Sequence, residues 1–226
     1  MKITRILLAA GAVALASAIA PAARATLLTY YVVLNTASLG SDANGPFSLD
    51  FQLATGSGNV SNSVTLSNFL FFGGSPSGTP NFTDGSESGS LAGTLTLTNA
   101  DANNEFAEQF STGVTKIQFE VSETENTEEV GSGTPTDDQF NLYIDDQNAS
   151  TNDDIATGAT DGGDELLESA IFENATLSSV KTYNSTTPDS GVTVTTTVPE
   201  PASTSLMVVA LGAFGLFARS IRRRAA

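Results

Sequence analysis

Hydrophobic and polar residues alternate one by one along several short stretches of the chain. Phe47, Leu49, Phe51 and Leu53 interleave with Ser48, Asp50 and Gln52. Ile117, Phe119 and Val121 do so with Lys116, Gln118 and Glu120, and Phe140, Leu142 and Ile144 with Asn141 and Tyr143. Leu95 and Leu97 stand between threonines, as do Val192 and Val194. A period of two sends one set of side chains to a core and the other to water, the pattern of half-buried antiparallel strands. Residues 26–36, 63–72 and 177–183 read as further strands. In the second of these the apolar parity slips between Leu66 and Phe69, which predicts a β-bulge.

One short helix is expected, capped by Asp101 and running through residues 102–109, with Phe106 and Phe110 one turn apart. Clusters of Gly, Asn, Asp, Ser and Pro separate the strands at residues 73–80, 124–138 and 147–164. About eight strands joined by such turns predict an all-β chain folded as a single antiparallel β-sandwich, a jelly roll being one variant. The Thr-rich residues 186–198 read as a last strand running into a stalk.

The two ends of the chain have a different composition. Lys2 and Arg5 precede an apolar run at residues 6–20, and Ala23 and Ala25 put small residues at the −3 and −1 positions of a cleavage site. That is the form of a secretory signal peptide cut after Ala25; the run is too short and too closely followed by small residues to favour a membrane anchor. Expected boundaries are therefore 1–25 for the signal, 26–197 for the sandwich and 198–226 for a C-terminal segment. A domain of this size buries roughly 70% of its unfolded surface. It must rely on its core, because the chain has no cysteine for disulfides.

Charge sharpens the picture. Residues 26–198 hold 24 Asp or Glu against Lys116 and Lys181, a formal charge of −22. The whole chain carries only −16, because the other basic residues lie in the terminal segments. Such a field repels nucleic acid and anionic membrane surfaces and favours cations. No nucleic-acid partner is expected.

The C-terminal segment is built in three parts. Pro199, Glu200 and Pro201 hold the chain extended, since neither proline joins a helix comfortably. Residues 202–218 are apolar or small, about 25 Å as a helix and short for a hydrocarbon core of about 30 Å. Arg219, Arg222, Arg223 and Arg224 follow, and by the positive-inside rule they stay cytoplasmic while the domain lies outside. An exposed peptide beside the membrane results, within reach of a membrane-embedded enzyme. The segment resembles the PEP-CTERM sorting signal, whose Pro-Glu-Pro block, short span and Arg cluster occur here in that order. The resemblance implies recognition and processing by an exosortase, an integral-membrane, cysteine transpeptidase-like enzyme of Gram-negative, exopolysaccharide-producing bacteria. It implies transient anchoring in the inner membrane and then a cell-surface or extracellular location. An ordinary tail anchor would not need the Pro-Glu-Pro block. Residues 31–39 (YVVLNTASL) and 47–52 (FSLDFQ), with 93–97 and 106–110 in support, also resemble a group of small PEP-CTERM proteins, which implies no activity.

Candidate chemistry is limited by what the chain lacks. Without His or Cys there is no Ser-His-Asp triad, no thiol nucleophile and no ordinary zinc, haem or copper site. Ser178 and Lys181 fit S-x-x-K, but the surroundings favour a strand, on which residues three apart face opposite sides. Paired carboxylates can hydrolyse glycosides. Some pair is inevitable in so acidic a chain, and Glu123, Glu125, Glu128 and Glu129 read as a solvated loop. Asp145 and Asp146, Asp153 and Asp154, and Asp161 and Asp164 place hard oxygen ligands near strand ends, so weak calcium binding is the alternative to a hydrated acidic rim; no segment fits the EF-hand loop. Tyr30, Tyr31, Tyr143 and Tyr183 are the candidate sugar platforms, Tyr143 first because alternation turns it outward. Asn-x-Ser/Thr sequences occur at Asn59, Asn81, Asn148, Asn174 and Asn184. The leading expectation is a non-enzymatic surface or extracellular-matrix protein with no required cofactor. A carbohydrate-binding module of an exopolysaccharide matrix and a carboxylate glycosidase are the alternatives.

Overall fold

The computed structural model describes residues 27–42, 44–56, 61–124, 138–146, 154–159, 163–171, 180–186 and 191–197. The expected signal peptide and the whole C-terminal segment lie outside these residues. Among the described residues twelve strands form two six-stranded antiparallel sheets. Sheet A runs β12 (Thr193–Thr197), β1 (Leu28–Asn35), β8 (Lys116–Glu123), β3 (Ser63–Phe72), β6 (Leu95–Thr98), β5 (Glu87–Gly89). Sheet B runs β11 (Val180–Thr182), β10 (Leu167–Ile171), β9 (Asp138–Asp146), β2 (Phe47–Ala54), β7 (Asn103–Phe110), β4 (Pro76–Asp84). From β1 to β5 the chain changes sheet at every step, so neighbouring strands are mostly distant in sequence.

The inward positions of both sheets merge into one hydrophobic core. Its centre is aromatic. Phe51 of β2 meets Phe119 of β8 edge-on at 5.6 Å between ring centres, stacks on Phe140 of β9 at 6.3 Å and touches Phe69 of β3 edge-on at 6.3 Å. Edge-on and offset contacts of this kind suit the ring quadrupoles and add to the area buried.

The bulge expected in residues 63–72 is present. Pairing of β3 with β8 shifts register between Ser67 and Leu70, and Asn68 takes up the offset at φ 57°, a conformation that Asn tolerates better than most residues. Beyond it the parity reverses. Val64 and Leu66 point inward before the bulge, Phe69 and Phe71 after it, which leaves Leu70 and Phe72 on the outer face.

Three local expectations need correction. Residues 103–110 are not a helix but β7, paired with β2 on one side and β4 on the other. Among the described residues the helical turn is a 3-10 turn at Ala37–Ser41. The supposed loop after Gly73 is largely β4, an edge strand whose register shifts around Pro76 and Pro80. Prolines survive there because an edge strand needs only half of its N–H groups for pairing. Glu123 does not belong to a solvated loop: it ends β8 at 1% exposure. The other glutamates of that stretch, Glu125, Glu128 and Glu129, lie outside the described residues.

Inward polar residues close the sandwich. Glu123 accepts from the Tyr30 hydroxyl at 2.6 Å and from Ser169 Oγ at 2.8 Å, linking β8 and β1 of sheet A to β10 of sheet B. Asp138 accepts from Asn62 Nδ2 (2.9 Å), Asn99 Nδ2 (2.7 Å) and the Gly56 amide (2.7 Å). Glu108 accepts the Gly78 amide at 2.7 Å and the Leu91 amide at 3.2 Å, fastening β4 and the turn after β5. These carboxylates are structural, since each is spent on donors that burial would otherwise leave unpaired.

Candidate functional site

Register places a second set of carboxylates on the outer face of sheet B. Outward residues of β2 are Ser48, Asp50 and Gln52, because Phe47, Leu49, Phe51 and Leu53 fill the core. Across β9 their partners are Asp145, Tyr143 and Asn141; across β7 they are Gln109, Ala107 and Glu105. Asp154 pairs with Asp145 in an isolated antiparallel bridge on the far side of β9. The result is a row Asp154–Asp145–Ser48, with Asp50 one step along β2 and diagonal to Asp145. Glu105 sits one row further.

Burial makes this cluster unusual for a surface. Asp50 is only 3% exposed, next to the small Ala107 on one strand and the half-buried Tyr143 on the other. Its Oδ2 accepts from Gln52 Nε2 at 2.6 Å, while its Oδ1 has no hydrogen-bond partner. Burial pushes the Asp50 carboxyl up to about 7, helped by the charges of Glu105 and Asp154 and opposed by the Gln52 hydrogen bond. The Asp145 carboxyl is raised well above the usual carboxylate range, first by burial, then by Asp50 and by its hydrogen bond and charge contact with Asp154. Its Oδ1 is also buried without a hydrogen-bond partner. Burial raises Glu105 too, with Asp84 and Asp154 adding repulsion and Asn103 opposing. Carboxylates in such surroundings retain protons into the neutral range and can act as acids or as hard cation ligands.

Of the aspartates expected as calcium candidates, the fold brings Asp145 and Asp154 together and sets Asp146 and Asp164 apart from them. Adjacent residues of a strand face opposite sides, so Asp145 joins the outer cluster while Asp146 turns the other way at the end of β9. Asp154 meets Asp145 as described. Asp164 accepts the Thr157 amide at 3.2 Å, within a separate turn. Asp153 and Asp161 lie outside the described residues. Asp50 and Glu105 were missed: on sequence alone they are ordinary outward residues, and only strand order brings Asp50 beside Asp145 and sets Glu105 one row beyond Asp50. Among the described residues no group of three or more carboxylates is placed to hold a metal ion.

The tyrosines also change rank. Tyr143 does face outward but is half-buried beside Asp50. Tyr30 is in the core, and Tyr183 donates to Glu168 Oε2 at 3.3 Å. Tyr31 is the exposed ring, 43% accessible on the outer face of sheet A, and a hydrogen bond to Glu120 raises its hydroxyl pKa. Leu70 and Phe72 share that face, with the Lys116 ammonium 3.9 Å above the Phe72 ring. Lys181 of the S-x-x-K match bonds Glu168 at 2.8 Å, and Ser178 lies outside the described residues. Of the Asn-x-Ser/Thr asparagines, Asn81 accepts from Ser48 Oγ at 3.3 Å and Asn184 from the Val194 amide at 3.1 Å.

Ala23 and Ala25, the Pro199–Glu200–Pro201 block, the apolar run and Arg219, Arg222, Arg223 and Arg224 are all outside the described residues. No helix among the described residues is long and apolar enough to cross a membrane. The last described element is β12, an edge strand of sheet A ending at Thr197. No curated protein and no solved structure matches the chain. One family model does, over residues 197–224: the PEP-CTERM protein-sorting motif, a signal for exosortase recognition. The chain is therefore an exported β-sandwich protein that carries a PEP-CTERM sorting signal.

Proposed function

We propose that this protein is a non-catalytic component of the cell surface or extracellular matrix of an exopolysaccharide-producing bacterium. An exosortase cuts it near Pro199–Pro201 and releases the sandwich from a staging anchor in the inner membrane. The observation that carries this reading is the sorting motif at residues 197–224, beginning where the edge strand β12 ends. A span of about 25 Å holds only marginally, which suits temporary retention. The extended Pro-Glu-Pro peptide supplies an accessible cleavage site, and the arginines set the orientation. Release removes four positive charges and leaves a strongly acidic domain that stays soluble in a hydrated matrix. Replacing Pro199, Glu200 and Pro201 with alanine tests this. Export should persist, and the protein should accumulate in the inner membrane with its tail attached.

A second reading is favoured by the outer face of sheet A, where Tyr31, Leu70 and Phe72 are exposed among Gln118, Glu120 and Asn68. Rings flanked by amide and carboxylate groups are the chemistry that holds a glycan chain. Retention of the protein on the producer's polysaccharide, lost in Tyr31→Ala and Phe72→Ala, would favour a carbohydrate-binding module. Release of reducing sugar that depends on Asp50 or Asp145 would point to a glycosidase instead.

A further inference from the structure

We propose that the outer face of sheet A is the contact surface for a second copy of this chain, packed face to face about a two-fold axis. The distribution of charge carries this. Among the described residues the outward positions of sheet A hold one acid, Glu120, and one base, Lys116, both on β8, and the others are uncharged. The outer face of sheet B holds Asp50, Asp84, Glu105, Asp145 and Glu168 against Lys181 alone. Residues 26–198 carry a formal charge of −22, yet this one broad face is balanced. The exposed side chains of Tyr31, Leu70 and Phe72 lie on it. Apolar groups gathered where net charge is absent are the mark of a protein contact, since charge is what such a contact must otherwise desolvate.

Register fixes how two such faces meet. Thr195, Val33, Gln118 and Leu70 form one row across β12, β1, β8 and β3. Lys116 and Glu120 stand two residues to either side of Gln118, about 13 Å apart at about 3.3 Å per residue. A two-fold axis lying in the interface along that row reverses the strand direction of the second copy. It lays Lys116 of each copy against Glu120 of the other, and Leu70 and Val33 against their own counterparts. Each pair then occurs twice, as a self-complementary contact requires. Leu70, at 56%, is the most exposed large hydrophobic residue among those described, and it falls on the axis. Both charges are held in place by their own neighbours: the Lys116 ammonium lies 3.9 Å above the Phe72 ring, and Glu120 accepts from Asn68 Nδ2 at 3.1 Å. The acidic faces do not oppose the contact. Stacked sheets lie about 10 Å apart, so the two B sheets are about 30 Å apart, against a Debye length of about 8 Å at physiological ionic strength. Four strands about 4.8 Å wide and about 26 Å long give a flat area of about 500 Å², below the about 800 Å² per partner of a standard interface. A reversible dimer follows, with a dissociation constant of about 1–100 µM. A face covered in this way is closed to a glycan, so the two occupants exclude each other.

The test is analytical ultracentrifugation of the exported protein, purified from the producing cells, over a concentration series at physiological ionic strength. A monomer–dimer equilibrium is expected. Leu70→Glu should weaken it at least about tenfold. Phe82→Glu, which puts the same charge on a similarly exposed residue of β4 in sheet B, should leave it unchanged. Lys116→Glu and Glu120→Lys should each weaken the dimer, and the double variant, in which every pair is reversed, should recover it. Net charge alone predicts otherwise: Lys116→Glu would then weaken the dimer and Glu120→Lys strengthen it. All these changes are on the surface, and melting curves verify that each variant folds. A protein that stays monomeric up to about 1 mM would overturn the proposal, being beyond the weakest affinity the face allows. So would a dimer that survives Leu70→Glu, single reversals of opposite sign, or a double variant that does not recover. Monomer retained on the producer's polysaccharide and released by Leu70→Glu would give the face to a glycan instead.

Discussion

Asp50→Asn should stabilise this protein, and increasingly so as the pH rises. In the unfolded chain the Asp50 carboxyl titrates near 3.8, and in the folded protein burial moves it to about 7. The folded-state value is the raised one. The stability it permits is thus complete below about pH 4 and is lost as the pH climbs through about 7. Each tenfold change in a protonation equilibrium is worth about 1.4 kcal/mol, so the full penalty of ionising Asp50 in place approaches about 4 kcal/mol by pH 8. Asparagine keeps the shape and can still accept from Gln52, but it never ionises. In urea titrations with chelator present, the variant and the parent should match near pH 4. By pH 8 the variant should lead by up to about 4 kcal/mol, about 8–16 °C in melting temperature for a domain of this size. Repulsion among carboxylates remote from Asp50 also grows over this range, but it acts on both proteins and drops out of the difference, while relief of Asp145, whose pKa Asp50 helps to raise, adds to the lead of the variant at high pH. A lead no larger at pH 8 than at pH 4 would refute the reasoning, because Asp50 would then ionise freely where it stands.

Two further substitutions probe the frame that holds the cluster. Phe51→Ala removes the ring that joins Phe69, Phe119 and Phe140, and should cost about 3–5 kcal/mol in chemical denaturation, against less than about 1 kcal/mol for Phe72→Ala on the surface. Glu123→Ala strands the Tyr30 and Ser169 hydroxyls between the sheets and should cost about 3 kcal/mol by the same assay, with Glu123→Gln recovering part of it.

Alternation located the strands whose inward faces hold at least three apolar residues in succession, β2, β8 and β9 above all, and a slip in parity was enough to find the bulge at Asn68. It failed where polar residues interrupt the inward run. In β7 the inward residues are Asn104, Phe106, Glu108 and Phe110, so only two apolar residues, four apart, signal the buried face. A spacing of four fits one turn of a helix and also an even step along a strand, and Glu108, buried to receive the Gly78 and Leu91 amides, hides the distinction. β4 was obscured for another reason: as a mostly exposed edge strand containing Pro76 and Pro80, it shows no alternation at all. The carboxylate cluster depends on strand order. Asp50 and Asp145 lie far apart in the chain and meet only because β2 and β9 are neighbours in sheet B. The sorting segment was legible because its parts are consecutive and need no fold to bring them together.

The most direct test of the account is the intact mass of the protein in membrane and extracellular fractions, from otherwise identical cells with and without the exosortase. With the enzyme, the extracellular protein should end near Pro199–Pro201 and lack Arg219 and Arg222–Arg224. Without it, the protein should remain in the inner membrane with the tail intact. Extracellular protein that still carries residues 221–226 would contradict the account, because the segment would then be an ordinary anchor rather than a signal that is read and removed.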